Sequence, residues 1–267
     1  MKFRSIWVSD THLGGKNIKS KELLDFLTRT DSEYLYLVGD IFDFWQLRRK
    51  WQWPKINDQI IEIVLEKAKQ GTTVVYLPGN HDEILRSYNN STFNNILICN
   101  EVIHTTVKGQ QFLVLHGDQF DCVVQNSKFL SNLGSIAYEI LLNFNRRYNL
   151  VRKYFGLGYH SISAFLKQKC KAAVNHMGDF EQVVLNEIAT KQVDGVICGH
   201  IHHASIRQIS DKLYSNAGDW VESGTALVEN DHGTLGVVQW IQHQPSFAST
   251  TTVSEHPTLK NPTPATH

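Results

Sequence analysis

Short apolar runs alternate with amphipathic segments over the first 120 residues of the chain. Runs typical of buried strands occupy residues 3–9, 34–38, 73–77 and 111–115. Between them, apolar residues recur at helical spacing and predict helices at 20–29 and 56–70. Ser20 is the expected N-cap of the first helix, and Gly71 is the expected end signal of the second. Strands that alternate with helices predict an α/β sheet with both faces covered.

The pattern changes after residue 120. Residues 121–190 show little alternation and many helix formers, which predicts an inserted helical cap. Strand patterning returns at 193–198, 212–215, 225–229 and 234–241. Residues 243–267 hold four of the six prolines together with polar residues that have little to bury. We therefore expect one domain over 1–242, interrupted by the cap at 121–190, and a disordered C-terminal tail at 243–267.

Composition narrows the class of protein. The chain has 267 residues and a formal net charge of zero, which favours neither a polyanion nor any other charged partner for the chain as a whole. The four cysteines lie far apart without a C-x-x-C motif, so neither a disulfide framework nor a zinc ribbon is indicated. We find no signal-peptide pattern and no apolar run long enough to span a bilayer, and we therefore expect a cytoplasmic protein.

Five polar strings each follow one of the predicted strands. They are Asp10-Thr11-His12, Gly39-Asp40, Gly79-Asn80-His81-Asp82, His116-Gly117-Asp118 and Gly199-His200-Ile201-His202. Ligands of open α/β sheets bind at the carboxyl ends of the strands. Because residues two apart at a strand end share a face, Asp10 and His12 are expected to point the same way, as are His200 and His202. The strings predict one ligand site at one edge of one sheet.

The donors in these strings are numerous and mixed. They comprise two carboxylates, one amide oxygen and four imidazoles, supplied by Asp10, Asp40, Asn80, His12, His116, His200 and His202. This set is too large for one tetrahedral ion and suits two ions that share a bridging ligand. Asp40 is the natural bridge, since a carboxylate reaches two metals from one position. Mixed nitrogen and oxygen donors suit manganese, iron, zinc or cobalt better than magnesium, and we expect manganese, with iron and zinc as alternatives. Two divalent ions would leave net positive charge for a phosphate substrate.

The strings resemble the signature of the calcineurin-like metallophosphoesterases in order and type, over residues 6–202. The resemblance implies a two-sheet α/β sandwich with an inserted helical cap. It also implies that Asp10, His12, Asp40 and His202 hold one metal, that Asp40, Asn80, His116 and His200 hold the other, and that metal-bound hydroxide attacks the substrate. His81 would then stabilise the transition state or protonate the leaving group.

Within that family, the string Gly39–Trp45 and the string Asn216–Trp220 make the chain similar to the UDP-2,3-diacylglucosamine pyrophosphatases. The resemblance implies hydrolysis of a UDP-linked diacylated sugar to UMP and a lipid phosphate in lipid A biosynthesis. The chain departs from that subfamily at His81, where its members typically have Arg. A phosphate leaving group needs no proton donor, whereas an alkoxide benefits from one. His81 therefore keeps an ordinary phosphodiesterase or phosphomonoesterase open as an alternative.

The predicted cap suggests the nature of the substrate. Between Cys122 and Gly178 the chain has eight basic residues and one acid, with aromatic residues interleaved. A basic, aromatic cap suits an amphiphilic phosphorylated small molecule and could rest on the inner, anionic face of a membrane. Candidate substrate contacts are Lys167, Lys171, Trp45 and Arg48. A nuclease that grips a phosphate backbone and a non-catalytic metal-bearing scaffold are the competing hypotheses, although no nucleic-acid-binding module is recognisable.

Overall fold

A computed structural model describes residues 1–120, 181, 184, 185, 188, 189, 191–241 and 244–249. Two mixed β-sheets pack face to face, and helices cover the outer face of the larger sheet. The expected two-sheet α/β sandwich is therefore confirmed. The predicted cap, including Lys167 and Lys171, lies almost entirely outside the described residues.

The larger sheet has eight strands in the order β13-β12-β11-β1-β2-β3-β5-β4. These strands are β1 (Lys2–Val8), β2 (Asp31–Val38), β3 (Thr73–Leu77), β4 (Ser91–Phe93), β5 (Ile96–Ile98), β11 (Thr225–Glu229), β12 (Leu235–Ile241) and β13 (Gln244–Ser249). The strands β1, β2, β3 and β5 run parallel, so the carboxyl ends of β1, β2 and β3 meet at one edge.

The smaller sheet has five strands in the order β6-β7-β8-β10-β9. They are β6 (Glu101–Thr105), β7 (Gln111–Leu115), β8 (Gly195–Cys198), β9 (Ser205–Ile209) and β10 (Lys212–Asn216). The pair β7 and β8 is parallel, and Gly195 sits opposite Phe112 in its register. The carboxyl ends of these two strands therefore also lie side by side.

Three α-helices are described: α1 (Ser20–Arg29), α2 (Phe44–Arg49) and α3 (Lys55–Lys69). The apolar stripes of α1 and α3 face the larger sheet, where Leu23, Phe26 and Ile60 are buried. Gly71 adopts φ +105° just beyond α3, the left-handed conformation that ends a helix readily with glycine.

Apolar side chains fill the spaces on both sides of each sheet. One cluster lies under α1 and α3, a second contains Trp7, Phe112 and Ile197 between the sheets, and a third covers the far face of the smaller sheet. Because Trp7 comes from β1, and Phe112 and Ile197 come from β7 and β8, the second cluster joins the ligand-bearing strands of the two sheets. This packing fixes the carboxyl ends of the strands in one sheet relative to those in the other.

Three features differ from the sequence-based expectations. The Trp-rich segment after Asp40 lies outside the two predicted helices but contains α2, whose first turn is capped because Asp43 accepts a hydrogen bond from Gln46 N at 2.9 Å. Residues 205–209 form β9, a short edge strand without clear alternation. The strand β13 pairs with β12, so the sheet continues past residue 242 and the expected tail boundary at 243 was placed too early. An edge strand tolerates Pro245, which made this segment resemble a tail.

Candidate metal centre

The five polar strings meet where two sheets present their carboxyl ends. Asp10, Asp40 and Asn80 follow β1, β2 and β3 of the larger sheet, while His116 and His200 follow β7 and β8 of the smaller sheet. The expectation of one edge of one sheet was therefore wrong. Its physical basis still holds, because parallel strands end together in each sheet and the shared apolar core aligns the two edges.

The backbone at this site is unusual. Asp10, His12, Asp40, His200 and His202 all have positive φ, between 47° and 71°. Non-glycine residues adopt this left-handed region at a cost of about 1–3 kcal/mol each, and such residues concentrate at functional sites. Asp10 and His12 therefore converge through left-handed backbone beyond the end of β1 at Val8, and not as alternating positions of a strand.

Asp10, His12 and His202 form the first group of candidate ligands. One donor atom from each lies within 4.8 Å of the others. His202 Nε2 is 3.1 Å from Asp10 Oδ1, and the two imidazole Nε2 atoms of His12 and His202 are 3.4 Å apart. Asp10 is fully buried, so its carboxylate has little access to water. Three donors thus converge on a space the size of a cation.

Asp40, His116 and His200 form the second group, again with donor atoms within 4.8 Å of one another. Asp40 Oδ2 lies 3.4 Å from His116 Nε2 in this group and 3.9 Å from His12 Nε2 in the first group. One carboxylate oxygen of Asp40 therefore stands between the two groups. This is the geometry that a bridging ligand requires.

Asn80 adds an oxygen donor close by. Its neighbour Gly79 packs so tightly that a Cβ atom at that position would overlap the carboxylate of Asp40 and crowd the ring of His116. The Oδ1 atom of Asn80 is buried and has no hydrogen-bond partner among the described residues. Buried polar atoms of this kind call for an explanation, and a metal ion provides one. The residues present therefore fit divalent cations.

Burial and neighbouring charges shift the pKa values of the site residues in opposite directions. Burial acts to raise the pKa of Asp40, but the neighbouring His116 outweighs it and holds the pKa of this carboxyl far below its usual range. Burial acts to lower the pKa of His116, yet the carboxylates of Asp40 and Asp10 raise it to about 10. The pKa of His12 is lowered, chiefly by burial. The carboxylates thus draw protons onto an imidazole, and a metal would displace them.

Asp82 ties the third string to the second. Its carboxylate accepts hydrogen bonds from Ile41 N at 2.8 Å and from Gly79 N at 2.6 Å, and also from the hydroxyl of Tyr76. Because Ile41 and Gly79 adjoin Asp40 and Asn80, this one buried side chain sets the relative position of two candidate ligands. These hydrogen bonds give Asp82 a supporting role at the site.

His81 lies beside the two groups and is held on two sides. Its Nδ1 atom is 3.0 Å from Asp43 Oδ1, and its ring packs against Trp45 at a tilt of 32°, with centroids 4.0 Å apart. Its ring also meets that of His12 edge-on at 4.6 Å. Asp43 therefore both caps α2 and orients His81. Asp43 lies outside the five strings, although its position three residues after Asp40 within Gly39–Trp45 was a signal.

Other residues singled out by sequence fall into different places. Trp45 is 46% exposed beside His81, whereas Arg48 is exposed on α2 without a described contact to the candidate ligands. Asp118 forms a bidentate ion pair with Arg86 at 2.7 Å for both oxygens. His104 lies outside the five strings and is 2% exposed between the sheets, because the buried Glu229 and Tyr36 satisfy both of its ring nitrogens.

Residues 3–204 match the sequence profile described as calcineurin-like phosphoesterase. The match spans most of the chain and includes every candidate ligand. The chain belongs to the calcineurin-like phosphoesterase family. It is accordingly a metal-dependent phosphoester hydrolase, and its His and Asp groups are suited to hold the divalent metals of that family.

Curated relatives carry a narrower name. The chain is 24% identical over 240 residues to a UDP-2,3-diacylglucosamine hydrolase of Shewanella piezotolerans, which covers 84% of this chain and 93% of the relative. It is 24% identical over 251 residues to the protein of the same name from Haemophilus influenzae, covering 88% and 98%. Among solved structures, the E. coli phosphoesterase Yfce is similar at 12% identity with a TM-score of 0.47, covering 92% of this chain and 98% of that chain.

Proposed function

We propose that this calcineurin-like phosphoesterase is a dinuclear-metal hydrolase that cleaves the pyrophosphate of a UDP-2,3-diacylglucosamine-type substrate, giving UMP and a lipid sugar phosphate. The observation that carries the dinuclear part is the position of Asp40 Oδ2, within 3.9 Å of an imidazole nitrogen from each group. The names of relatives that cover most of the chain support the substrate.

The candidate ligands divide between two ions in this proposal. Asp10, His12 and His202 would hold one ion, Asn80, His116 and His200 would hold the other, and Asp40 would contact both. When bound, the ions lower the pKa of a water and polarise a phosphoryl oxygen. Manganese is our proposed metal, because mixed imidazole and carboxylate donors suit it, with iron and zinc as alternatives.

His81 would act on the phosphoryl group or on the leaving group. The carboxylate of Asp43 accepts a hydrogen bond from the Nδ1–H group of the ring. The Nε2 atom is then the nitrogen that can donate to a phosphoryl oxygen or to the departing oxygen. The adjacent ring of Trp45 restricts rotation of the imidazole. Because a phosphate leaving group needs no proton, we expect His81 to stabilise charge when a pyrophosphate is cleaved.

A manganese-supplemented assay with UDP-diacylglucosamine, analysed for UMP, tests the substrate. We expect UMP to form, and its formation to stop when a chelator is added. An alkyl phosphodiester serves as the comparison substrate, and a preference for it would contradict the proposal. His81→Arg sharpens the comparison, since we expect that variant to keep more of its pyrophosphate activity than of its alkyl phosphodiester activity.

The presence of His81 favours a second candidate function, an ordinary phosphodiesterase or phosphomonoesterase with an alkoxide leaving group. That function predicts that His81→Arg loses most of its activity on the preferred substrate. The same assay therefore separates the two candidates.

A diacylated substrate resides in a membrane, which supports the expectation that the enzyme works at the cytoplasmic face of an anionic bilayer. Within the described ranges, no helix is both long and apolar enough to cross a membrane. Co-sedimentation with anionic vesicles, compared with neutral vesicles, tests this peripheral contact. Equal recovery with both vesicle types would argue against it.

A further inference from the structure

A cleft opens beside the metal centre, where the chain passes from β1 to α1. Its volume is about 620 Å³, and its walls are the loop after His12, the first turn of α1 and the segment that leads into α3. Gly15 connects it to the centre, because a Cβ atom placed on Gly15 would lie 2.9 Å from His12 O and 3.2 Å from Asp43 Oδ2. The cleft therefore adjoins both a candidate ligand and the residue that orients His81.

The cleft is positively charged. Lys16 and Lys21 are exposed along its rim, and Glu22 is the one acid among its described lining residues. No residue between Leu13 and Lys21 is acidic, whereas Lys19 adds a further cation to this stretch. An anionic group that enters the cleft thus meets more positive than negative charge.

The first turn of α1 offers further hydrogen-bond donors. Lys19 occupies the N-cap position and makes no side-chain capping bond, so the N-terminal amides of this ten-residue helix lack a side-chain acceptor. The sequence suggested Ser20 as the cap, but Ser20 is the first helical residue. An uncapped helix N-terminus that follows a strand and a glycine-containing loop favours phosphate.

A buried amide points independently to a ligand. Asn57 is 1% exposed and lines the cleft, and its Oδ1 atom is 3.4 Å from the hydroxyl of Ser20. Its Nδ2 atom has no hydrogen-bond partner among the residues that the structure describes. A buried donor left without an acceptor is costly, and an anion beside Ser20 would supply that acceptor.

We propose that this cleft binds the second phosphate of a diphosphate substrate, next to the phosphate that reacts at the metal centre. The inference rests on the proposed pyrophosphate substrate. Lys16, Lys21 and the α1 amides would neutralise the phosphate that the metals do not contact. The cleft would thereby favour diphosphates over simple phosphate esters.

Calorimetric titration of the manganese-loaded full chain with UDP and with inorganic phosphate tests the proposal. The variant is Lys16→Ala/Lys21→Ala, which removes two exposed side chains and leaves the core intact. Loss of two charge-assisted contacts is expected to raise the Kd for UDP about tenfold or more. The Kd for inorganic phosphate, which occupies the metal centre alone, stays unchanged.

Lys69→Ala/Lys108→Ala is the matched control, because it removes the same charge from exposed positions outside the cleft. We expect it to bind both ligands as the parent chain does. An unchanged Kd for UDP in the cleft variant would overturn the proposal, as would equal weakening of both ligands. Failure of the pyrophosphate assay with a cleft-dependent UDP affinity would instead reject the proposed substrate and keep the subsite.

Discussion

Two buried clusters of histidine and carboxylate differ in whether their polar atoms have partners. Between the sheets, the Glu229 carboxylate accepts hydrogen bonds from His104 at 2.9 Å, from the Ser5 hydroxyl at 2.8 Å and from Val107 N at 2.9 Å. The Tyr36 hydroxyl forms a hydrogen bond with the other ring nitrogen of His104 at 2.8 Å. At the candidate metal centre, Asn80 Oδ1 is buried without a partner among the described residues.

Backbone conformation separates the clusters in the same way. The residues of the inter-sheet cluster lie in regular strands or beside them, whereas five candidate ligands of the metal centre have left-handed backbone. A cluster with paired polar atoms and a relaxed backbone stabilises the fold. A cluster with unpaired polar atoms and left-handed backbone is typical of a ligand-binding site. The residue types alone do not distinguish the two.

The largest expected effect is on turnover, from Asp40→Asn. The amide keeps the size of the side chain but removes the charge that we place between two ions. We expect activity below about 1% of the parent value, since a lost ligand costs more than the 10–100-fold of a lost supporting contact. Phosphoester hydrolysis with saturating manganese measures it. Glu229→Gln is the corresponding variant in the inter-sheet cluster. A comparable loss of turnover in that variant would contradict the distinction between the two clusters.

Asp82→Asn should weaken metal binding without removing a ligand. The carboxylate accepts several backbone N–H groups around Asp40 and Asn80, and an amide nitrogen in its place would face those donors. We expect metal affinity to fall about 10–100-fold, measured by competition with a chelator. Asp31→Asn, at an exposed carboxylate, is the control and should bind metal normally. Unchanged affinity in Asp82→Asn would refute the supporting role.

His104→Leu should affect stability and spare chemistry. Removing His104 leaves Glu229 and Tyr36 buried without their shared partner. We expect the free energy of unfolding to fall by about 3 kcal/mol, measured by urea denaturation, with turnover per folded molecule retained. His232→Leu, at an exposed histidine, provides the matched control. A fall in turnover without a fall in stability would show that the inter-sheet cluster takes part in catalysis.

The smallest expected effect is a change in folding stability as the pH falls into the acid range. Burial alone would raise the pKa of Glu229, but bonds from His104, Val107 N and Ser5 lower it to about 2 from an ordinary 4.5. A lowered pKa stabilises the fold above the ordinary value, and that stability is lost as the pH falls from about 4.5 towards 2. The stability difference between the parent chain and Glu229→Gln should therefore shrink over this range. A constant difference would show that Glu229 does not titrate in this way.

The sequence predicted the parts of the fold that local patterns control. The strands β3, β7 and β11 and the helix α1 occupy the ranges expected for them, because apolar alternation and helical spacing are properties of single segments. The division into two sheets came only from family resemblance, since strand partners are chosen by packing across the whole chain. A short edge strand such as β9, which has no fully buried residue, lacks the alternation that periodicity detects.

The candidate ligands were identifiable because each of five predicted strands is followed by a string that contains Asp, Asn or His, residue types that bind metals. The same logic failed for His104, whose burial depends on Glu229, 125 positions away. Asp43 was missed because its two roles, capping α2 and orienting His81, become visible only when α2 lies beside the third string. Contacts between distant segments were the information that local patterns lacked.

The metal content and electronic coupling of the manganese-loaded chain test the central claim that two ions share Asp40. Elemental analysis should give two manganese ions per chain, and electron paramagnetic resonance should show two spins coupled through a common bridge. Asp40→Asn should lose the coupled signal. One ion per chain, or two ions without coupling in the parent chain, would contradict the account.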